Sequence, residues 1–165
     1  MSTKNKIFFV YLLTLTATLF WLVLIFLAPY LRSKSSPLAG FLYALFSPTC
    51  HQIPSRCFKT FGYPLAVCTR CLGIYAGFLA GTLVYPVIRG FSAPPLPRVK
   101  ILVCFSAPIV VDTAGNFLSI WSSSGEARFL TGFFWGIILP FYVLAGVTDC
   151  ILRSKFFLKS KWENT

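Results

Sequence analysis

Charge is scarce in this chain, and negative charge scarcer still. Only 12% of its 165 residues are charged, and four Asp and Glu stand against fifteen Lys and Arg. So little charge, beside 56% hydrophobic and 18% aromatic residues, excludes a soluble domain, although the length is that of one domain. A formal net charge of +11 would point to nucleic acid in a polar chain. Here the cations gather at the ends of apolar runs, where lipid headgroups meet them, so the implied partner is the lipid bilayer and no nucleic acid is expected. A short apolar region followed by a small-residue cleavage site is also lacking, so the first apolar run is expected to be a retained span, not a cleaved signal peptide. Beyond recurring glycines no repeat relates the two halves, which weighs against a transporter built from inverted repeats. Histidine occurs once, as His51.

What the chain does have is four long apolar runs. Residues 7–28 carry no charge and, at about 1.5 Å per residue, are long enough to cross a hydrocarbon core of about 30 Å, with Pro29 expected to end the helix. Residues 37–46 are too few to span and are expected to lie in the interface. A second span is expected over about 64–88, starting at Pro64, a favoured first helical position. Its Gly73, Gly77 and Gly81, beside Ala76 and Ala80, form a small-residue face that lets a second backbone approach. Pro94, Pro95 and Pro97 make 89–100 a stiff connector. A third span over 99–121 contains Pro108, which should kink it, and a fourth over 128–152 carries Gly132 and Gly136. The expected fold is therefore all-α: a single integral membrane domain, a four-transmembrane-helix bundle with a short interfacial segment and a Cys/His-rich outer loop over 48–63.

Four spans put both termini on one side. That side holds Lys4, Lys6, Arg89, Arg98, Lys100, Arg153, Lys155, Lys159 and Lys161. The other holds Arg32, Lys34, Arg56, Lys59, Arg70 and Arg128, of which the last two are candidates for the site itself. The excess of cations makes the first side cytoplasmic, with the cysteine loop outside a bacterial inner membrane, where an oxidising compartment permits disulfides.

Chemistry concentrates in residues 50–81, CHQIPSRCFKTFGYPLAVCTRCLGIYAGFLAG, which hold four of the six cysteines, the histidine and two arginines. Cys68 and Cys71 are three apart at the head of the second span and share a face, a spacing that suits either metal chelation or a redox disulfide. Cys50, His51 and Cys57 raise the number of soft ligands to what a four-coordinate site needs. Adjacent Cys50 and His51 are awkward as two ligands of one ion, so one of them belongs behind the other. Two structural disulfides stapling the loop are the plainer alternative. Cys104 and Cys150 lie inside spans and read as small apolar filler. Ionised groups within spans need partners, so Asp112 is expected to pair with Arg70 or Arg128 once the glycine faces of the second and fourth spans dock, with Asn116 one turn above it. These four form the polar floor of a pocket rimmed by the cysteine loop, and a purely structural salt bridge is the competing account. Asp149 and Arg153, four apart, read as an interfacial ion pair.

Taken together, Cys50-His51-Gln52, Pro54, Arg56, Cys68-x-Arg70-Cys71-x-Gly73-Ile74-Tyr75-x-Gly77, Asp112 and Arg128-Phe129-x-Thr131-Gly132 resemble the prokaryotic membrane protein family catalogued as domain of unknown function 2085, over about residues 45–150. The resemblance implies the architecture and little about activity. Cys57 lies outside the family's pattern, which leaves Cys50, His51, Cys68 and Cys71 as the metal-ligand set, for zinc or another thiophilic metal. Two alternatives stand beside it. In one, Cys68 and Cys71 exchange electrons with Cys50 and Cys57 and pass them to a quinone, as in four-helix membrane disulfide oxidoreductases. In the other, the chain is a small scaffold or accessory protein for a membrane partner subunit.

Overall fold

A computed structural model describes the backbone of residues 3–90 and 97–163, and side chains over 4–90 and 97–150. The chain is nearly all helix. Five helices, α1 (Thr3–Ser33), α2 (Leu38–Phe46), α3 (Thr69–Arg89), α4 (Val99–Phe117) and α5 (Gly125–Glu163), are joined by turns and one small hairpin of β1 (Lys59–Thr60) and β2 (Tyr63–Pro64). Four of the helices are long and apolar enough to cross a membrane, over Lys4–Ser33, Thr69–Arg89, Val99–Phe117 and Gly125–Cys150. Much of the connector at 89–100 and the Arg153 side chain of the expected Asp149 pair lie outside the described residues.

Helix α1 runs through Pro29 to Ser33 instead of ending at the proline. Proline removes one i−4 hydrogen bond, but Pro29 is fully buried in the packing, and the Ser33 hydroxyl donates to the Tyr30 carbonyl at 2.7 Å in the last turn. The chain then reverses through Ser35 at φ 53° into α2. Nine residues, about 13 Å at helical rise, are too short to span. Ala39, Leu42 and Phe46 pack inward, with Phe46 edge-on to Trp21 of α1 at 4.9 Å, while Leu38 and Phe41 face out.

The second span begins at Thr69, not near Pro64. Tyr63 and Pro64 are committed to the hairpin, whose two-residue turn, Phe61 at φ 55° and Gly62 at φ 81°, has the positive angles that match strand twist. Leu65, Ala66 and Val67 then run through the core, packed with Ile25, Phe46 and Cys50, and deliver the chain to α3. The hairpin is fastened to the end of α1: the Arg32 guanidinium lies over the rings of Tyr43 and Tyr63 at 5.4 and 5.5 Å, and Tyr30 meets Phe61 at 5.5 Å.

Helices α3 and α5 form the centre. A Cβ at Gly73, Gly77 or Gly81 would overlap the carbonyls of Phe129, Phe133 or Ile137, and one at Gly132 or Gly136 the carbonyls of Arg70 or Ile74. The pairs advance together along both helices, so the two run parallel in backbone contact, the close approach that small residues allow where lipid offers no hydrophobic drive to association. Helix α4, which joins them in sequence, packs mainly on α5, with Trp135 Nε1 donating to Ser106 Oγ at 2.8 Å and Tyr142 OH to the Arg98 carbonyl at 2.9 Å. It passes Pro108 and stops at Phe117, four residues short of the expected end. The stop is local: Leu118 and Ile120 N–H groups bond back to Ala114 and Gly115 carbonyls, Ser119 takes φ 56°, and the Trp121 ring fills the space over Gly115. Helix α5 starts at Gly125, where the Ser124 hydroxyl accepts the Ala127 N–H at 3.2 Å, and not at 128.

Candidate metal and polar site

The site forms where the first turns of α3 and α5 meet the loop between α2 and α3. Cys50 ends the turn after α2 and is 95% buried, its exposure being 5%. Gln52, at φ 51°, holds the loop in place by donating from Nε2 to the carbonyls of Tyr43 and Ala66 at 2.7 and 2.8 Å. The Tyr43 hydroxyl in turn donates to the Pro64 carbonyl. These clamps press the loop onto the residue that caps α3, Cys68, whose N–H donates to Cys50 Sγ at 3.1 Å.

With Cys71 one turn into the helix, Cys50, Cys68 and Cys71 place three sulfurs within 4.8 Å of one another. That is a donor set of matching softness, with Cys71 on the helix, Cys68 at its cap and Cys50 on a clamped loop. Hydrogen bonds from the Cys50 and Cys71 thiols hold the Cys68 sulfur far below the ordinary thiol range, which favours the thiolate that binds metals. All six cysteines are free.

His51 does not join the three sulfurs. Neighbouring side chains leave the backbone in different directions, so Cys50 turns into the core while His51 is exposed and lines the cavity in front of the cluster. Cys57 stands apart as well, donating from Sγ to the Ile53 carbonyl at 3.2 Å. Burial, then the neighbouring Cys50 and Cys68, push its thiol up to about 11. Cys104 and Cys150 are exposed on the outer faces of α4 and α5, so neither fills a core position.

Below the sulfurs lies a polar network spanning three helices. Arg70 of α3 donates from Nη2 to Asp112 Oδ2 of α4, an ion pair in which Asp112 is buried at 8% exposure. Ser123 donates its hydroxyl to Asp112 Oδ1, and its N–H goes to Asn116 Oδ1 at 3.1 Å. Asn116 Nδ2 bonds the Asp112 carbonyl at 2.6 Å and Ser123 Oγ at 2.6 Å. Arg128 of α5 completes the set by donating from Nη2 to Asn116 Oδ1 at 2.8 Å. The carboxylate is thus matched on both oxygens, as a charge within a membrane bundle requires. Between this network and the loop is a cavity of about 310 Å³, walled by Cys50, His51, Cys68, Cys71, Arg70 and Arg128, with Thr49, Gln52, Ile53, Arg56 and Asn116 completing the lining.

Arg70, Asp112, Asn116 and Arg128, expected together from the sequence, share one network, whereas Ser123 and Tyr43 carry no such signal and Gln52 stands in the sequence only as part of Cys50-His51-Gln52, without a role. Ser123 carries no signal beyond its place in a polar loop. Gln52 and Tyr43 act on carbonyls, which every residue has, so no pattern of residue types betrays their role.

The family model described as predicted membrane protein (DUF2085) matches residues 50–142, the segment that holds the whole cluster and network. An uncharacterized protein of Methanocaldococcus jannaschii is 39% identical over 140 residues, which covers 81% of this chain and 90% of the relative. No solved structure matches.

Proposed function

The chain belongs to the DUF2085 family of predicted membrane proteins, and from that premise we propose that it is a membrane protein that holds a thiophilic metal ion, zinc being the best fit, at the extracytoplasmic mouth of its helix bundle. Cys50, Cys68 and Cys71 supply three thiolate ligands, and His51, at the cavity wall, is the candidate for the fourth position. The observation that carries the reading is the convergence of three sulfurs within 4.8 Å from two separate chain segments. Three thiolates with the fourth position facing the cavity wall, where His51 stands, supply the four ligands that a tetrahedral zinc site takes. The Arg70 and Arg128 charges offset the excess negative charge of a multi-thiolate centre, and Asp112 orients Arg70 from below.

The location follows from charge. Arg70 and Arg128 are taken up in the site network, which leaves four cations to report topology on the loop side against nine on the side of the termini. Both termini are then cytoplasmic in an inner membrane and the site faces out.

The redox alternative would pair Cys68 and Cys71 with Cys50 and Cys57. Cys57 outside the sulfur cluster and high in pKa makes a poor exchange partner, since the thiolate is the attacking species. Purification under mild reduction, with bound metals measured by elemental analysis and free thiols counted in the same sample, separates the readings. About one equivalent of metal with three thiols protected supports the metal site. A metal-free protein with a Cys68 to Cys71 disulfide that quinone regenerates after reduction replaces it with the redox account.

A further inference from the structure

Three guanidinium groups line the cavity beside the sulfurs: Arg56 from the 3-10 turn Pro54–Arg56, Arg70 from α3 and Arg128 from α5. Among the described residues no carboxylate lines it. Among the described residues Asp112, bound to Arg70, is the one acid at the site, since Glu126 is exposed at the start of α5 and Asp149 lies far along the same helix. The balance of charge is therefore positive. Asp112 and the single net negative charge of a divalent ion held by three thiolates fall short of three arginines, and the surplus persists when no metal is bound and the thiols are neutral. Arg70 and Arg128, in the first turns of their helices, are costly there unless an anion meets them, and Arg56 adds a third guanidinium from the loop above.

We propose that this cavity binds a phosphate-bearing anion, gripped by Arg56, Arg70 and Arg128. Guanidinium is the side chain whose planar fork matches phosphate oxygens two at a time. About 310 Å³ is at the small end of ligand pockets, which run from about 300 Å³ upward, and suits a compact phosphate group better than a large organic molecule. Exposed Ile53 is part of its lining, and the cavity lies at the first turns of two helices long and apolar enough to cross a membrane, the level of the headgroups, so the phosphate comes from a lipid headgroup or from free phosphate in solution. The inference stands on the arginines and holds with or without the metal.

The test uses the full-length protein in neutral phosphatidylcholine nanodiscs, with metal content measured on each sample. Inorganic phosphate is titrated by calorimetry, and retained phosphatidic acid against phosphatidylcholine is counted by native mass spectrometry. Arg56→Gln and Arg128→Gln should each weaken binding about tenfold or more, as loss of a charge-assisted contact does, while Lys59→Gln on the exposed face of β1 leaves it unchanged. Arg56 sits on an exposed turn, so Arg56→Gln should keep the wild-type unfolding temperature, which separates a loss of binding from a folding defect. Saturation by inorganic phosphate assigns the site to the free anion, and arginine-dependent retention of phosphatidic acid alone assigns it to a headgroup. No binding of either probe, or equal loss in Lys59→Gln, overturns the proposal. Metal bound without phosphate binding sinks this inference alone, and phosphate binding by protein that takes up no added metal when reduced sinks the metal site alone.

Discussion

Arg70, in the first turn of α3, reaches across to Asp112 on α4 and so joins the sulfur-bearing helix to one that otherwise packs mainly on α5. Asp112→Asn leaves the guanidinium uncompensated and should destabilise the protein by about 1.5–3 kcal/mol, the worth of a hydrogen bond to a charged group. Arg70→Gln alone should cost a similar amount, and the double change less than the sum, because a buried charge is most harmful when its partner alone is removed. Thermal unfolding in detergent of the four proteins in this cycle checks the coupling, and strictly additive losses would show that the pair does not act as one.

The parallel α3–α5 contact rests on atoms that glycine lacks. Gly77→Ala places a Cβ against the Phe133 carbonyl, and Gly132→Ala one against the Arg70 carbonyl. Both should lower folding yield and unfolding temperature. Gly40→Ala, where nothing lies within 4 Å, should be neutral or slightly stabilising because alanine is the better helix former. Equal tolerance at the three positions would contradict backbone contact and, with it, the placement of Arg128 beside the sulfurs.

Cys57 offers a pH-dependent signal outside the spans. Burial first, and then neighbouring Cys50 and Cys68, raise its thiol to about 11. The neutral form therefore dominates at pH 7, and the alkylation rate should climb about tenfold per pH unit until it levels near that value, since only the thiolate reacts. An ordinary exposed thiol would level near 8.5. With both termini cytoplasmic, a membrane-impermeant maleimide should reach Cys57 in intact spheroplasts at raised pH. Labelling that appears only after lysis would reverse the topology.

Much of this architecture was legible because membrane burial leaves few choices. A run such as 7–28 has one use, and Asp112 in an apolar helix had to find a cation. The Gly73, Gly77 and Gly81 spacing likewise named the contact face of α3. The loop was not legible to the same degree. Tyr63 and Pro64 carry the composition of a helix start, yet a turn through Phe61, a non-glycine residue at positive φ, commits them to a hairpin and delays α3 to Thr69. Proline in α1 misled in the opposite sense, because tertiary packing at Pro29 outweighs the lost hydrogen bond. In the site, residue type located the cysteines but not their directions: that Cys50 turns inward and His51 outward depends on the Gln52 clamp to two carbonyls.

In the function proposed above, Cys50, Cys68 and Cys71 bind one metal ion as a set. Cobalt(II) titration of the reduced, metal-free protein reads this directly, because each thiolate bonded to cobalt contributes near-ultraviolet charge-transfer absorption. The band should saturate at about one equivalent per chain with the intensity of three thiolates. It should weaken in Cys50→Ser, Cys68→Ser and Cys71→Ser and persist at full strength in Cys57→Ser. A protein that develops no such band, or loses it equally in Cys57→Ser, does not contain the metal site described.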